Sequence, residues 1–147
     1  MNESIFETIQ KNAKFLNIDL YAAELAGYTV EEGFAQESLE AIEKVFSYLR
    51  KKKEESIVTT LLRMSRLPLK EPKTFEGFDF NHVHGKNVEM LKNLPTLSAL
   101  YAHRNLAFIG PQGVGKTHLA MAYGRECCKR GMKTYFLKAT ELNQKMT

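Results

Sequence analysis

Residues 110–117 constrain the possible folds of this chain more than any other segment. They read Gly-Pro-Gln-Gly-Val-Gly-Lys-Thr and fit the pattern G-x-x-x-x-G-K-[ST] at every fixed position. Glycines let backbone N–H groups turn inward around a phosphate chain, which predicts positive φ at Gly110, Gly113 and Gly115. The lysine of such a loop reaches the β- and γ-phosphates, and the final hydroxyl coordinates Mg²⁺.

The residues around this loop are typical of a strand that leads into a helix. Residues 105–109 form a short apolar run, and an apolar stripe of helical period extends from Leu119 to Cys127. We therefore predict a site for ATP and Mg²⁺, with the Thr117 hydroxyl as metal ligand. His118 either approaches the loop or lies on the helix surface. The predicted cofactor-binding residues are Gly110, Pro111, Gln112, Gly113, Val114, Gly115, Lys116, Thr117 and His118.

The chain has 147 residues, enough for one ordinary domain or two small ones. No apolar run is long enough to span a membrane and no signal peptide is visible, so we expect a cytoplasmic protein without membrane contact. The net charge of +4 is unevenly distributed, with −6 over residues 1–49, +5 over 50–73 and +5 over 74–147. Such a division suggests separate surfaces with different partners.

Hydrophobic periodicity predicts a helical first half. A capping box at Ser4 opens one helix, and a long apolar stripe through Leu39, Ile42, Val45, Phe46 and Leu49 predicts another from Gln36 to about Arg66. Two prolines then indicate a linker. We predict a helical domain over residues 1–67, a linker with an aromatic segment over 68–82, and a partial ATP-binding domain over 83–147.

The predicted fold class is α/β. Strands are expected at residues 106–109 and 133–137, on either side of the helix that follows the loop, as the start of a parallel sheet. No apolar run ending in an acid follows Thr117, although such an acid holds Mg²⁺ in complete ATPases of this kind. We therefore expect an N-terminal portion of a longer protein, whose sheet is incomplete and which does not hydrolyse ATP alone.

Two further segments strengthen a family resemblance. Residues 105–120 include the loop followed by Thr-His-Leu-Ala, residues 63–68 read Arg-Met-Ser-Arg-Leu-Pro, and residues 74–80 read Thr-Phe-Glu-Gly-Phe-Asp-Phe. Together they resemble the IstB family, the ATP-binding helper proteins of insertion-sequence transposition. DnaC-type helicase loaders look similar. The resemblance covers residues 60–147 well and residues 1–59 only as a helical region.

The resemblance implies a P-loop ATPase of the AAA+ class that assembles as a homo-oligomer when full length, acts on DNA and communicates with a transposase. It also implies that Phe75, Phe78 and Phe80 border the adenine site, whereas their pattern alone favours pinning the linker to the core. The family's Walker B acid, polar sensor and arginine finger are absent from this sequence.

Basic residues provide a candidate DNA-binding surface. These are Arg50, Lys51, Lys52, Lys53, Arg63 and Arg66. They could bind DNA phosphates non-specifically, or they could form a solvated helix face. Three functions remain open: a transposition helper that binds ATP, a DnaC-like loader that acts on a replicative helicase, and a non-enzymatic interaction module with a remnant nucleotide site.

Overall fold

A computed structural model describes residues 3–146 of the chain. Its contacts divide the chain into two compact units, and the boundary in the sequence lies between Ser56 and Ile57. We call them the first and the second unit. The domain boundaries predicted at residues 67 and 82 remain a prediction.

Two short helices and the first part of a long one form the first unit. Helix α1 spans Ile5–Phe15 and helix α2 spans Ala22–Glu31. The predicted capping box is confirmed, because Ser4 Oγ accepts from the Glu7 N–H and a Glu7 oxygen accepts from the Ser4 N–H. Helix α2 passes through Gly27 without interruption and ends before Gly33, which has φ 67°.

Helix α3 spans Gln36–Met64, close to the predicted bounds. The predicted apolar stripe is only partly covered. Leu39 is buried, and Ile42 and Phe46 are half-buried, whereas Val45 and Leu49 keep 55% and 42% of their surfaces exposed. The covered stripe of α3 is therefore narrower than the sequence pattern suggested.

Short helices and one longer helix make up the second unit. A 3₁₀ turn at Phe80–His82 precedes α4 at Val88–Lys92, a second 3₁₀ turn at Leu94–Thr96 and α5 at Ser98–Tyr101. Helix α6 spans Lys116–Lys129 and α7 spans Ala139–Met146. The core contains Phe75, Leu94, Leu119 and Ala122, with Phe78, Phe80 and Leu91 packed against it. Burial of these side chains anchors α6 against the segment that precedes α4.

The predicted α/β fold class is wrong for the described residues, which form helices and loops and contain no strand or sheet. Residues 106–109 and 133–137 are non-helical but lack a ladder of backbone hydrogen bonds. In the second segment, the Phe136 N–H donates to the carbonyl oxygen of Ser65, the residue directly after α3, at 2.7 Å. An apolar run becomes a strand only when a neighbouring backbone pairs with it, so composition alone overestimated the sheet.

Within residues 3–146, no helix combines the length and the apolarity that crossing a lipid bilayer requires.

Candidate functional site

The loop of residues 110–117 leads directly into helix α6. Gly113 has φ 83°, and Gly115, the residue that precedes the first turn of α6, has φ 99°. Gly110 does not have positive φ, so the expectation of three left-handed glycines is right for two of them. A left-handed residue is costly for any side chain with a Cβ, which explains glycine at these two positions.

Lys116 folds back across the loop. Its Nζ donates to the carbonyl oxygens of Gly110 and Pro111, each at 2.6 Å. The ammonium group is thereby held between the beginning of the loop and the N-terminus of α6, where unpaired backbone N–H groups also carry partial positive charge. The arrangement concentrates hydrogen-bond donors and positive charge at one point.

A large open cavity lies beside this point. Its volume is about 980 Å³. The loop contributes one part of its wall, and the segment from residue 78 to Leu91 contributes another. The loop residues on the wall are Gly110, Pro111, Gly113, Val114, Gly115 and Lys116. The apolar side chains opposite include Phe78, Val83, Val88 and Leu91. A cavity with apolar walls and one strongly polar corner suits a ligand that is apolar at one end and anionic at the other.

Three of the nine predicted site residues lie outside the cavity lining: Gln112, Thr117 and His118. Thr117 is exposed in the first turn of α6. His118 is half-buried, and its Nε2 lies 2.7 Å from the Thr74 carbonyl oxygen. Because that oxygen only accepts, Nε2 is the donor.

Residues 74–80 lie against the start of α6. Phe75 is buried in the core, whereas Phe78 is half-buried and also lines the cavity. The ring of Phe78 is 5.4 Å from that of His118 and 4.8 Å from that of Phe80, measured between centroids. Phe75 therefore takes the structural position favoured by the sequence pattern, and Phe78 takes a position on the cavity wall.

Sequence reasoning missed much of the wall opposite the loop. His82 and His84 are exposed, and both border the cavity. His82 Nε2 lies 2.9 Å from Asp79 Oδ2. No recognised motif marks this segment. The only available signal was its position directly after the aromatic residues. Among the side chains that the structure describes, no group of three or more His, Cys, Asp or Glu residues could hold a metal ion.

Two of the predicted DNA-binding residues in the first unit already have partners. Arg50 Nη1 donates to Asn12 Oδ1 at 3.3 Å, its Nε donates to Glu54 Oε1 at 3.0 Å, and its guanidinium lies 4.6 Å from the Phe15 ring centroid. Lys52 pairs with Glu55 at 3.3 Å. Because successive helical residues point in different directions, residues 50–53 do not share one face of α3.

In the second unit, Arg66 belongs to a cluster with Tyr135, Glu141 and Lys145. The Arg66 guanidinium donates to both Glu141 carboxylate oxygens, at 3.3 and 3.4 Å, and to the Tyr135 hydroxyl at 3.3 Å. Lys145 Nζ donates to the same hydroxyl at 2.6 Å. The hydrogen bonds from these two cations lower the pKa of Tyr135, and the bond from Lys145 has the larger effect. The pKa of Glu141 is lowered mainly by the Lys138 backbone N–H and further by Arg66.

The structure thus defines a class of protein: a helical chain with a glycine-rich loop and an inward-turned lysine at a helix N-terminus, beside a large cavity. Residues 12–147 match the family of IstB-like ATP binding proteins, and the chain belongs to this family.

Curated relatives agree with this assignment. The chain is 41% identical over 85 residues to "Insertion sequence IS5376 putative ATP-binding protein" of Geobacillus stearothermophilus, which covers 58% of this chain and 33% of the relative. The chain is 28% identical over 143 residues to "Insertion sequence IS232 putative ATP-binding protein" of Bacillus thuringiensis subsp. berliner, which covers 96% of this chain and 56% of the relative. For IS21 of Pseudomonas aeruginosa, identity is 36% over 55% of this chain and 30% of the relative. The chain thus spans between about a third and somewhat more than half of these relatives.

Proposed function

We propose that residues 110–117 bind the triphosphate of ATP. The observation that carries this proposal is the position of Lys116, whose Nζ is held by two loop carbonyls at the N-terminus of α6. Gly113 and Gly115 add left-handed backbone that can turn N–H groups towards an anion. A triphosphate would receive charge-assisted hydrogen bonds from the lysine and from these N–H groups.

The cavity supports a nucleoside at the other end of the ligand. Its volume of about 980 Å³ lies at the upper end of the usual range for ligand pockets, roughly 300–1,000 Å³. Phe78, Val83, Val88 and Leu91 supply an apolar wall for a base. This arrangement favours a nucleotide over free phosphate, because free phosphate would leave the apolar wall unused.

We also propose that ATP binds as its Mg²⁺ complex, with the Thr117 hydroxyl as protein ligand. Mg²⁺ commonly retains several waters and binds few protein groups together with substrate phosphates, so one exposed hydroxyl beside Lys116 fits this role. The ion would supply charge neutralisation on the phosphate oxygens. The hydroxyl of Thr117 orients the complex, while Lys116 holds the phosphates.

We propose a role in DNA transposition, as an ATP-binding helper that acts with a transposase. Membership of the IstB-like family and the insertion-sequence names of the relatives support this role. They make a DnaC-like helicase loader the less favoured alternative. An adjacent transposase gene would support the helper further. The same proposal includes DNA contact through Lys51, Lys53 and Arg63, together with Arg50, Lys52 and Arg66, which already have partners within the chain. It also includes homo-oligomer formation by the full-length protein.

Equilibrium titration of the chain with a fluorescent ATP analogue tests nucleotide binding. We expect saturable binding by the wild type and its loss in Lys116→Ala. Lys129→Ala, which removes an exposed lysine from the other end of α6, is the matched control and should bind like the wild type. Absence of binding by the wild type at millimolar analogue would favour the interaction module with a remnant site. Unchanged binding by Lys116→Ala would contradict phosphate binding by residues 110–117.

A further inference from the structure

The contacts of His118 set it apart from the other predicted site residues. It is half-buried in the first turn of α6, adjacent to the loop but outside the cavity lining. Its ring is fixed at two places, by the hydrogen bond from Nε2 to the Thr74 carbonyl oxygen at 2.7 Å and by the ring of Phe78 at 5.4 Å. A histidine on an unconstrained helix surface would have neither contact.

Phe78 contacts both His118 and the loop. A Cβ built on Gly115 would lie 2.6 Å from Cε2 of Phe78, so the aromatic ring rests on the backbone of Gly115. Phe78 is itself held by its N–H bond to the Phe75 carbonyl oxygen at 3.1 Å, and Phe75 is buried in the core. The Gly77 N–H donates to Thr74 Oγ1 at 3.0 Å, which stabilises the turn between Thr74 and Phe78.

We propose that His118 is a positioning residue, which holds Phe78 against Gly115 and thereby fixes the conformation of residues 113–117. Gly115 is left-handed and directly precedes α6, so small shifts there redirect the N–H groups of the loop. A loop fixed before its ligand arrives loses less conformational freedom on binding. The consequence for nucleotide affinity rests on the function proposed above, whereas the effect on loop conformation does not.

Hydrogen exchange of the full chain without nucleotide tests the conformational effect. We expect His118→Ala to accelerate exchange at the amides of residues 113–117. His118→Gln retains an N–H donor that can reach the Thr74 carbonyl oxygen, so it should restore part of the protection. Exchange in the C-terminal half of α6 should stay unchanged, which a general loss of stability would not allow. His103→Asn, a histidine replacement at an exposed left-handed position outside the cavity lining, is the control.

Titration of the same variants with the fluorescent ATP analogue tests the consequence for binding. In His118→Ala the nucleotide must itself order the loop, so loss of this one hydrogen bond predicts roughly three- to tenfold weaker binding. Because His118 acts through Phe78, the double variant His118→Ala, Phe78→Ala should bind no more weakly than Phe78→Ala.

The two measurements separate the two proposals. Unchanged exchange of residues 113–117 in His118→Ala overturns the positioning role, as do independent effects of His118 and Phe78 on affinity. If His118→Ala fails to fold, Phe78→Leu and His118→Leu, which keeps bulk but has no donor for the Thr74 carbonyl oxygen, take its place, and unchanged loop exchange in both overturns the role. If His118→Ala shows faster loop exchange but the wild type does not bind nucleotide, the positioning role is supported and the proposed function is contradicted.

Discussion

The ring of Phe78 lies so close to Gly115 that a methyl group there would approach Cε2 of the ring to 2.6 Å. Gly113, two residues earlier, also has positive φ but has no heavy atom within 4 Å of a built Cβ. The two glycines therefore share a backbone requirement and differ in their surroundings. Comparing their alanine variants isolates the contact with Phe78.

We predict that Gly115→Ala destabilises the protein more than Gly113→Ala. Both variants place a side chain at positive φ, which costs roughly 1–2 kcal/mol, and overpacking against Phe78 adds roughly 1–3 kcal/mol to Gly115→Ala only. Urea unfolding followed by circular dichroism measures the difference. When Phe78→Ala is present in both proteins, Gly115→Ala and Gly113→Ala should lower the free energy of unfolding by nearly equal amounts. Equal destabilisation by the two single variants would show that overpacking against Phe78 does not lower the free energy of unfolding.

Acid should weaken the contribution of Glu141. Its pKa is lowered in the folded protein by the Lys138 N–H and by Arg66, so its ionised form is the stabilising one. The contribution is complete above the ordinary glutamate pKa of about 4.3 and disappears as the pH falls through the lower, folded-state pKa. We expect wild type to melt at a higher temperature than Glu141→Gln near neutral pH.

The difference in melting temperature between wild type and Glu141→Gln should shrink in acid. Glu89→Gln serves as the control, because it removes an exposed carboxylate whose ion pair with Lys92 is long, at 3.8 Å. A difference between wild type and Glu141→Gln that does not change with pH would show that charge at position 141 is not the cause.

Most of the helices follow from local sequence signals. Caps, hydrophobic periodicity and left-handed glycines act within a few residues. They therefore predicted the capping box at Ser4, the start of α3 at Gln36 and the start of α6 after Gly115. The sheet could not be predicted, because pairing depends on backbones distant in sequence. Contact between Phe78 and Gly115 is likewise tertiary, so the loop was recognisable from the sequence while the opposite wall of the cavity was not.

Charge reversal tests the proposed DNA contact. We expect the triple variant Lys51→Glu, Lys52→Glu, Lys53→Glu to weaken DNA binding and to flatten its dependence on salt. The logarithmic slope should fall by about 0.9 for each DNA phosphate that the variant no longer neutralises. Fluorescence anisotropy with duplex DNA at several salt concentrations measures both quantities.

The control for this experiment is Lys73→Glu, Lys92→Glu, Lys133→Glu, which reverses three exposed lysines and changes the net charge equally. It should retain most of the salt slope. An unchanged slope in the first triple variant, or equal reductions in both, would refute a DNA-binding role of residues 51–53.

Backbone amide NMR of the full chain tests the central claim most directly, because it reports where the nucleotide binds. On addition of ATP and Mg²⁺, we predict that the amide resonances of residues 113–117 shift in the wild type. The same residues should show no shift in Lys116→Ala, whereas Lys129→Ala should behave like the wild type. ATP-dependent shifts that leave residues 113–117 unchanged, or that persist there in Lys116→Ala, would contradict the assignment of this loop as the phosphate-binding site.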